Sequence, residues 1–381
     1  MNNTSILLPK VNREILGTCW RNKCQSLYVS EIWPSTGTPD AVGGGVNRKP
    51  AMKIQLVHKF EDIISIDNLL SAWLEFVVGK KKKSDVQIFA AALSDNILQL
   101  HEDLVNKTYQ HGNYYQFNIS DPKPRNISKA SVRDRLLHHA IYRILYPYFD
   151  QTFIYDSYSC RVSKGTHKAI KRFYSMFLEA SNYNRKTCWV LKLDIKKFFA
   201  SIDHQVLKDI LARDIPDQNI LWLLSNIVDS FSPGLPLGNL TSQLLVNVYM
   251  NEFDQFIKHK LKAKHYIRYA DDFVILSHDQ EELVNQLATI QEFLQTKLKL
   301  ILHPNKICLK TFASGVDFLG WVNFPTHRVL RTATKRRMMK RIRANPTNET
   351  LQSYLGLLGH GNTAKIIEKL QNDYWLFSTK I

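Results

Sequence analysis

The segment Tyr266-Ile267-Arg268-Tyr269-Ala270-Asp271-Asp272-Phe273-Val274-Ile275-Leu276 constrains this chain more than any other stretch. Two short apolar arms flank Ala270-Asp271-Asp272, a pattern that suits a β-hairpin with an acidic tip. Two adjacent ionised carboxylates at a strand turn repel each other unless a cation lies between them, so the tip calls for a divalent metal. Upstream, Trp189 to Asp194 reads as a strand that delivers a further carboxylate, Asp194, at its exit. Placed side by side, the two strands would face Asp194, Asp271 and Asp272 into one cleft. Hard oxygen ligands suit Mg²⁺, as a pair of ions with Mn²⁺ as a substitute. An isolated Asp-Asp is more often a solvated turn; the apolar hairpin around it and the polar, glycine-containing segment between it and Asp194 set this one apart.

The charge balance points to the partner. With 51 basic and 34 acidic residues the formal charge is +17, which favours a polyanion. No apolar run is long enough to span a bilayer and the amino terminus lacks a signal-peptide pattern, so a cytoplasmic protein without membrane contact is expected. Five scattered cysteines, none in a Cys-x-x-Cys pair, argue against a disulfide framework or a zinc site.

Residues 1–55 contain Pro34, Gly37, Pro39 and Gly43-Gly44-Gly45, and read as a loosely ordered extension. Apolar spacing predicts a helix over Phe60 to Val78 that stops at Gly79, followed by the tetralysine Lys80 to Lys83. Further helices are predicted over 86–107, 131–146, 281–298 and 334–343, and through the last 38 residues on a face of Leu351, Tyr354, Leu355 and Leu358. Tyr114 to Ile119 reads as a strand. The order of elements fits an α+β fold.

An ordered set of segments carries a family resemblance. LKLDIKKFFASID (191–203), GLPLGNLTSQLLVNVYMNEFD (234–254), RYADDFVIL (268–276), LHPNKI (302–307) and FLGW (318–321) resemble the successive palm motifs of reverse transcriptases. DPKPRNISKASVRDRLLHHAI (121–141) and SCRVSKGTHKAI (159–170) look like fingers motifs of the bacterial branch, related to group II intron enzymes. The resemblance implies a right-hand polymerase: fingers and palm over 56–325, the fingers mainly 56–187, and a short basic helical thumb over 326–381. It implies that Asp194 and Asp271 bind the metals with Asp272 in support, and that Phe199 is a steric gate against the ribose 2′-hydroxyl. Lys123 and Arg125 match residues that meet the triphosphate, where a guanidinium fork suits phosphate oxygens. Ile195, Leu237, Gly238 and Gln243 complete the dNTP site by the same match, and Lys306 falls where the family has a lysine proposed to protonate pyrophosphate.

The template-primer would meet Gly320 and the basic run from Arg328 to Arg343, which holds Arg336, Arg337 and Lys340 and no acidic residue, with Met338, Met339 and Ile342 turned inward. Lys168 and Arg172 would add a template contact. Most of the family has Gln-Gly-x-x-x-Ser-Pro where this chain has Leu237-Gly238-Asn239-Leu240-Thr241-Ser242-Gln243. Losing the glutamine amide and the rigid proline predicts lower base selection. The departure resembles diversity-generating retroelement enzymes, which copy a template RNA into cDNA with errors. That resemblance implies a small basic accessory variability protein, assembled as a ring, as partner. A phage-defence enzyme and a catalytically silent RNA-binding scaffold are the alternatives.

Overall fold

The computed structural model describes residues 55–120 and 124–378. The expected N-terminal extension, apart from Gln55, lies outside the described residues, as does Lys123. Among the described residues, one compact unit runs to Thr311 and a second begins at Phe312.

The first unit opens with α1 (Phe60–Ile64) and α2 (Ile66–Phe76). The single helix predicted here breaks at Ser65, whose hydroxyl accepts the Asn68 N–H at 3.2 Å and so caps a new start. Asn68 is buried and donates to the carbonyls of Ile63 (2.8 Å) and Ala140 (3.2 Å), which fixes α2 against a later helix. The helix predicted over 86–107 likewise divides at Ala92 into α3 (Ser84–Ala91) and α4 (Leu93–Val105).

A two-stranded ribbon follows, β1 (Tyr115–Ile119) antiparallel to β2 (Arg125–Lys129). Then comes α5 (Val132–Thr152), capped by the Ser131 hydroxyl. It runs past Pro147, six residues beyond the predicted end. His138 and His139 of α5 are both held well below the usual imidazole range by burial. His139, with Lys80 and Arg135 adding repulsion, falls to about 3. Since the unfolded chain takes up these protons near pH 6.5 and the folded chain does not, stability is complete above that value and declines as pH falls towards 3. The expected slope is about 1.4 kcal/mol per pH unit for each histidine; urea unfolding at pH 7, 6, 5 and 4, with His139→Gln flattening the profile, measures it.

After α6 (Thr166–Ala180) the chain enters the central sheet, β3 (Trp189–Asp194). Helices α7 (His204–Asp214), α8 (Gln218–Asp229) and α9 (Leu240–Gln255) precede the hairpin β4 (His265–Tyr269) and β5 (Asp272–Ser277). Then come α10 (Gln280–Lys297) and β6 (Cys308–Thr311). The sheet order is β4-β5-β3-β6, with every neighbouring pair antiparallel. Leu191, Leu193, Tyr266, Phe273 and Ile275 join one core with Leu244, Leu245, Tyr249 and Phe253 of α9, which also packs on α5. Because α9 is buried on nearly all sides it has no amphipathic period to detect.

The second unit holds a three-stranded antiparallel sheet, β7 (Val316–Phe318), β8 (Trp321–Asn323) and β9 (Arg328–Leu330). Three helices follow: α11 (Thr332–Ala344), α12 (Asn348–Leu358) and α13 (Ala364–Ser378). Met338, Met339 and Ile342 are buried on α11 as their spacing predicts. On α12 only Leu351 and Leu358 are fully buried, with Tyr354 and Leu355 half-buried.

Candidate active site

Asp194, the last residue of β3, is the register partner of Asp272, the first residue of β5. Directly opposed residues of an antiparallel pair project from one face. Both carboxylates therefore leave the sheet on the side away from Leu193 and Phe273, which enter the core. Two lysines offset their repulsion. Lys306 Nζ lies 2.6 Å from Asp194 Oδ1, and Lys192 Nζ lies 3.4 Å from Asp272 Oδ1. The second contact lacks the alignment of a hydrogen bond, so Asp272 Oδ1 is buried without a hydrogen-bond partner.

Asp271 occupies the turn between β4 and β5, behind Ala270 in the left-handed region at φ 55°. Its carbonyl accepts the Ile195 N–H at 3.3 Å, which ties the turn to the exit of β3. Lys306 reaches Asp194 because the segment before it runs along the same exit: His303 N–H donates to the Asp194 carbonyl at 2.8 Å, and Leu302 bridges Ile195. Ile195 is only 2 % exposed, so anything it offers a nucleotide comes through its backbone. Among the described residues no three His, Cys, Asp or Glu side chains are gathered into a ready metal cage. The donor chemistry nonetheless fits a hard cation: carboxylate oxygens on one sheet end, one of them buried and unbonded.

Phe199 sits in a 3₁₀ turn, Phe198–Ser201, entered through Lys197 in the left-handed region. Its ring is half-buried and meets Phe198 edge-on at 5.5 Å. Its carbonyl accepts the Leu235 N–H at 2.8 Å. Gly234 makes that approach possible, since at φ 68° a Cβ there would lie 2.1 Å from the Phe199 oxygen and 2.7 Å from Ala200 backbone atoms. Backbone cannot swing aside as a side-chain end can. Gly234→Ala is expected to cost at least about 2 kcal/mol from strain and clash combined, read as a lowered urea midpoint.

Leu237 and Gly238 are seated on the ribbon: the Ser128 N–H donates to the Leu237 carbonyl at 2.9 Å. A Cβ on Gly238, at φ 129°, would stand 3.1 Å from both the Ser128 oxygen and Ile127 Cγ2. Arg125 begins the same strand, β2, so an expected triphosphate residue lies on the strand that Leu237 and Gly238 contact. Gln243 lies in the first turn of α9, half-buried, and its carbonyl accepts from Asn247 at 3.2 Å. Lys168 donates to the Ser163 carbonyl at 2.7 Å. Arg172, the other residue expected to meet the template, is engaged by Asp156 at 2.9 Å and Glu179 at 3.3 Å.

In the second unit, Leu319 (φ 52°) and Gly320 (φ 90°) form the two-residue turn between β7 and β8. Arg336 and Lys340 line a groove of about 680 Å³ together with Lys335, Arg343 and Lys369, while Arg337 is half-buried on α11.

Sequence reasoning passed over Arg268. It is fully buried and bidentate to Asp254 (2.8 and 2.6 Å), and it also donates to the Ser157 hydroxyl (3.0 Å) and the Ala270 carbonyl (3.2 Å). Tyr266 donates to the same Asp254 carboxylate at 2.6 Å. The signal was an arginine in an otherwise apolar strand, His265 to Tyr269. Lys192 was also missed, though its place two residues before Asp194 puts it on the same face.

Residues 119–322 match the family described as reverse transcriptase (RNA-dependent DNA polymerase). The chain belongs to the reverse transcriptase family. Among curated proteins it is 24 % identical to protein YkfC of Escherichia coli over 57 % of this chain and 66 % of that protein. It is 23 % identical to the group II intron-encoded protein LtrA of Lactococcus lactis over 57 % of this chain and 47 % of that one. The match thus spans less than two thirds of these relatives' length. Among solved structures, apo telomerase from Candida tropicalis superimposes with a TM-score of 0.50 at 12 % identity, covering 73 % of this chain and 61 % of that one. This likeness bears out the expected α+β polymerase fold of the reverse transcriptase. No helix among the described residues is long and apolar enough to cross a membrane.

Proposed function

We propose that this reverse transcriptase copies an RNA template into cDNA, and that it does so with low fidelity, as a diversity-generating retroelement enzyme. The observation that supports polymerisation most is the register pairing of Asp194 with Asp272 beside the Asp271 turn. Asp194, Asp271 and Asp272 are the residues that would hold Mg²⁺ or Mn²⁺. When bound, such ions neutralise triphosphate charge and favour the attacking 3′-oxygen. The primer 3′-oxygen bonds to the α-phosphorus and pyrophosphate leaves. Arg125, with Lys123, meets the triphosphate; Phe199 walls off the ribose 2′ position; Lys306 stands near enough to Asp194 to act as the proton donor to pyrophosphate. Arg336, Arg337, Lys340 and Gly320 belong to the unit that would grip the template-primer backbone.

Low fidelity is inferred from Leu237 and Gln243. An apolar side chain in place of an amide removes a directional contact at the nascent base pair, and discrimination built on hydrogen bonds is lost when the bond is lost. A small basic accessory protein assembled as a ring would then be a partner, and the cell interior the place of action.

The test is dNTP incorporation on a primed RNA template with and without Mg²⁺, followed by sequencing of the cDNA. Metal-dependent products with errors concentrated opposite adenine are expected. Faithful or untemplated products would overturn the diversification reading in favour of a defence role. No product, even with cognate RNA and accessory protein, would leave an RNA-binding scaffold.

A further inference from the structure

The β1–β2 ribbon exposes an aromatic pair that the site described above does not use. Tyr115 and Phe117 stand two residues apart on β1, hence on one face. Their rings lie parallel within 30° at 6.1 Å between centroids. Tyr115 is 69 % exposed and Phe117 39 %, although rings of this size usually enter a core or an interface. Their cross-strand partners are Lys129 and Ile127, with Arg125 opposite Ile119 farther along the same face. Of the two basic residues on this face, Lys129 is paired with Asp85 at 2.6 Å.

The ribbon also has a direction. Ile127, opposite Phe117, is buried and lies against Gly238, the turn of the motif assigned to the nascent base pair. The aromatic surface is therefore continuous with the place where a template base would be read.

We infer that Tyr115 and Phe117 form a stacking platform for unpaired bases of the RNA template before they reach the Leu237–Gln243 motif, with Arg125 drawing in the adjoining phosphate. The occupant follows from the chemistry. Exposed, stacked rings bind flat π-faces, stacking on them tolerates any base, and Arg125 on the same face suits the phosphate of a polyanion. A single strand offers unstacked bases; a duplex keeps its bases stacked internally. This inference rests on the reading of the site as an RNA-templated polymerase.

The experiment uses the full chain and fluorescence anisotropy with two probes, a labelled single-stranded RNA oligonucleotide and a blunt RNA–DNA hybrid. Tyr115→Ala/Phe117→Ala should weaken binding of the single strand about tenfold or more and leave the hybrid unchanged. Tyr115→Phe/Phe117→Tyr should retain wild-type affinity. The salt dependence of the alanine variant should keep its slope, because the lost contact is not ionic. Single-strand binding equal to wild type, or equal losses on both probes, would overturn the platform. Primer extension by the wild type separates the two readings: single-strand binding that depends on Tyr115 and Phe117, in a wild-type protein that makes no DNA, sinks the polymerase assignment and supports the surface. DNA synthesis with unaltered binding by the alanine pair does the reverse.

Discussion

Asp271→Ala is expected to abolish nucleotide incorporation, by at least about a thousandfold in kcat, while the protein remains folded. The carboxylate stands at a turn, and the contact that ties this turn to β3 runs through the Asp271 carbonyl to Ile195 N–H, which alanine keeps. Removing one of two adjacent negative charges also relieves repulsion at the tip. The variant should therefore unfold at nearly the wild-type urea concentration. Asp194→Ala should be as inactive. It would also leave Lys306 without the carboxylate it meets at 2.6 Å. The measurement is single-turnover primer extension beside a urea melt. Activity within tenfold of wild type would remove Asp271 from the chemistry.

Arg268→Ala should produce the largest loss of stability of any single change near the site, about 3–5 kcal/mol. Arg268 and Asp254 are both fully buried, so truncating one leaves the other charged in a medium that cannot solvate it. Tyr266 and Ser157 lose partners as well. The Arg268→Met/Asp254→Leu double variant removes both charges and should recover much of that stability, since a buried pair exchanged for apolar groups is often neutral. It should not recover full activity, because the Ala270 carbonyl loses the guanidinium that holds the strained turn in front of Asp271. Chemical denaturation and primer extension on the three proteins test both halves. A double variant that is both stable and fully active would reduce Arg268 to packing alone.

The acidic hairpin, the Asp194 strand, and the ribbon strand β1 were legible because each depends on local period and turn chemistry, which neighbouring residues report. The breaks at Ser65 and Ala92 were not. The apolar spacing continues across both, and only the Asn68 contacts to Ile63 and Ala140 show how the chain after Ser65 is held. Helix α9 escaped for the opposite reason, since a helix covered on nearly all sides leaves no polar face to set its period. The ion pair of Arg172 was not legible either, because a basic residue on a helix looks alike whether it faces a phosphate or an Asp156 supplied from a loop sixteen residues earlier.

Sequence by itself determined the family, the carboxylates proposed for the metals, and the alternation that brings Asp194 and Asp272 to strand ends. Those are properties of residue type and spacing along one segment. Tertiary structure alone decided what surrounds them: Lys192 and Lys306 against the carboxylates, Arg268 beneath Ala270, Gly234 against Phe199, and Ile127 between the aromatic ribbon and Gly238. Most of these contacts join segments far apart in the chain, and no local pattern encodes a distance that only folding closes.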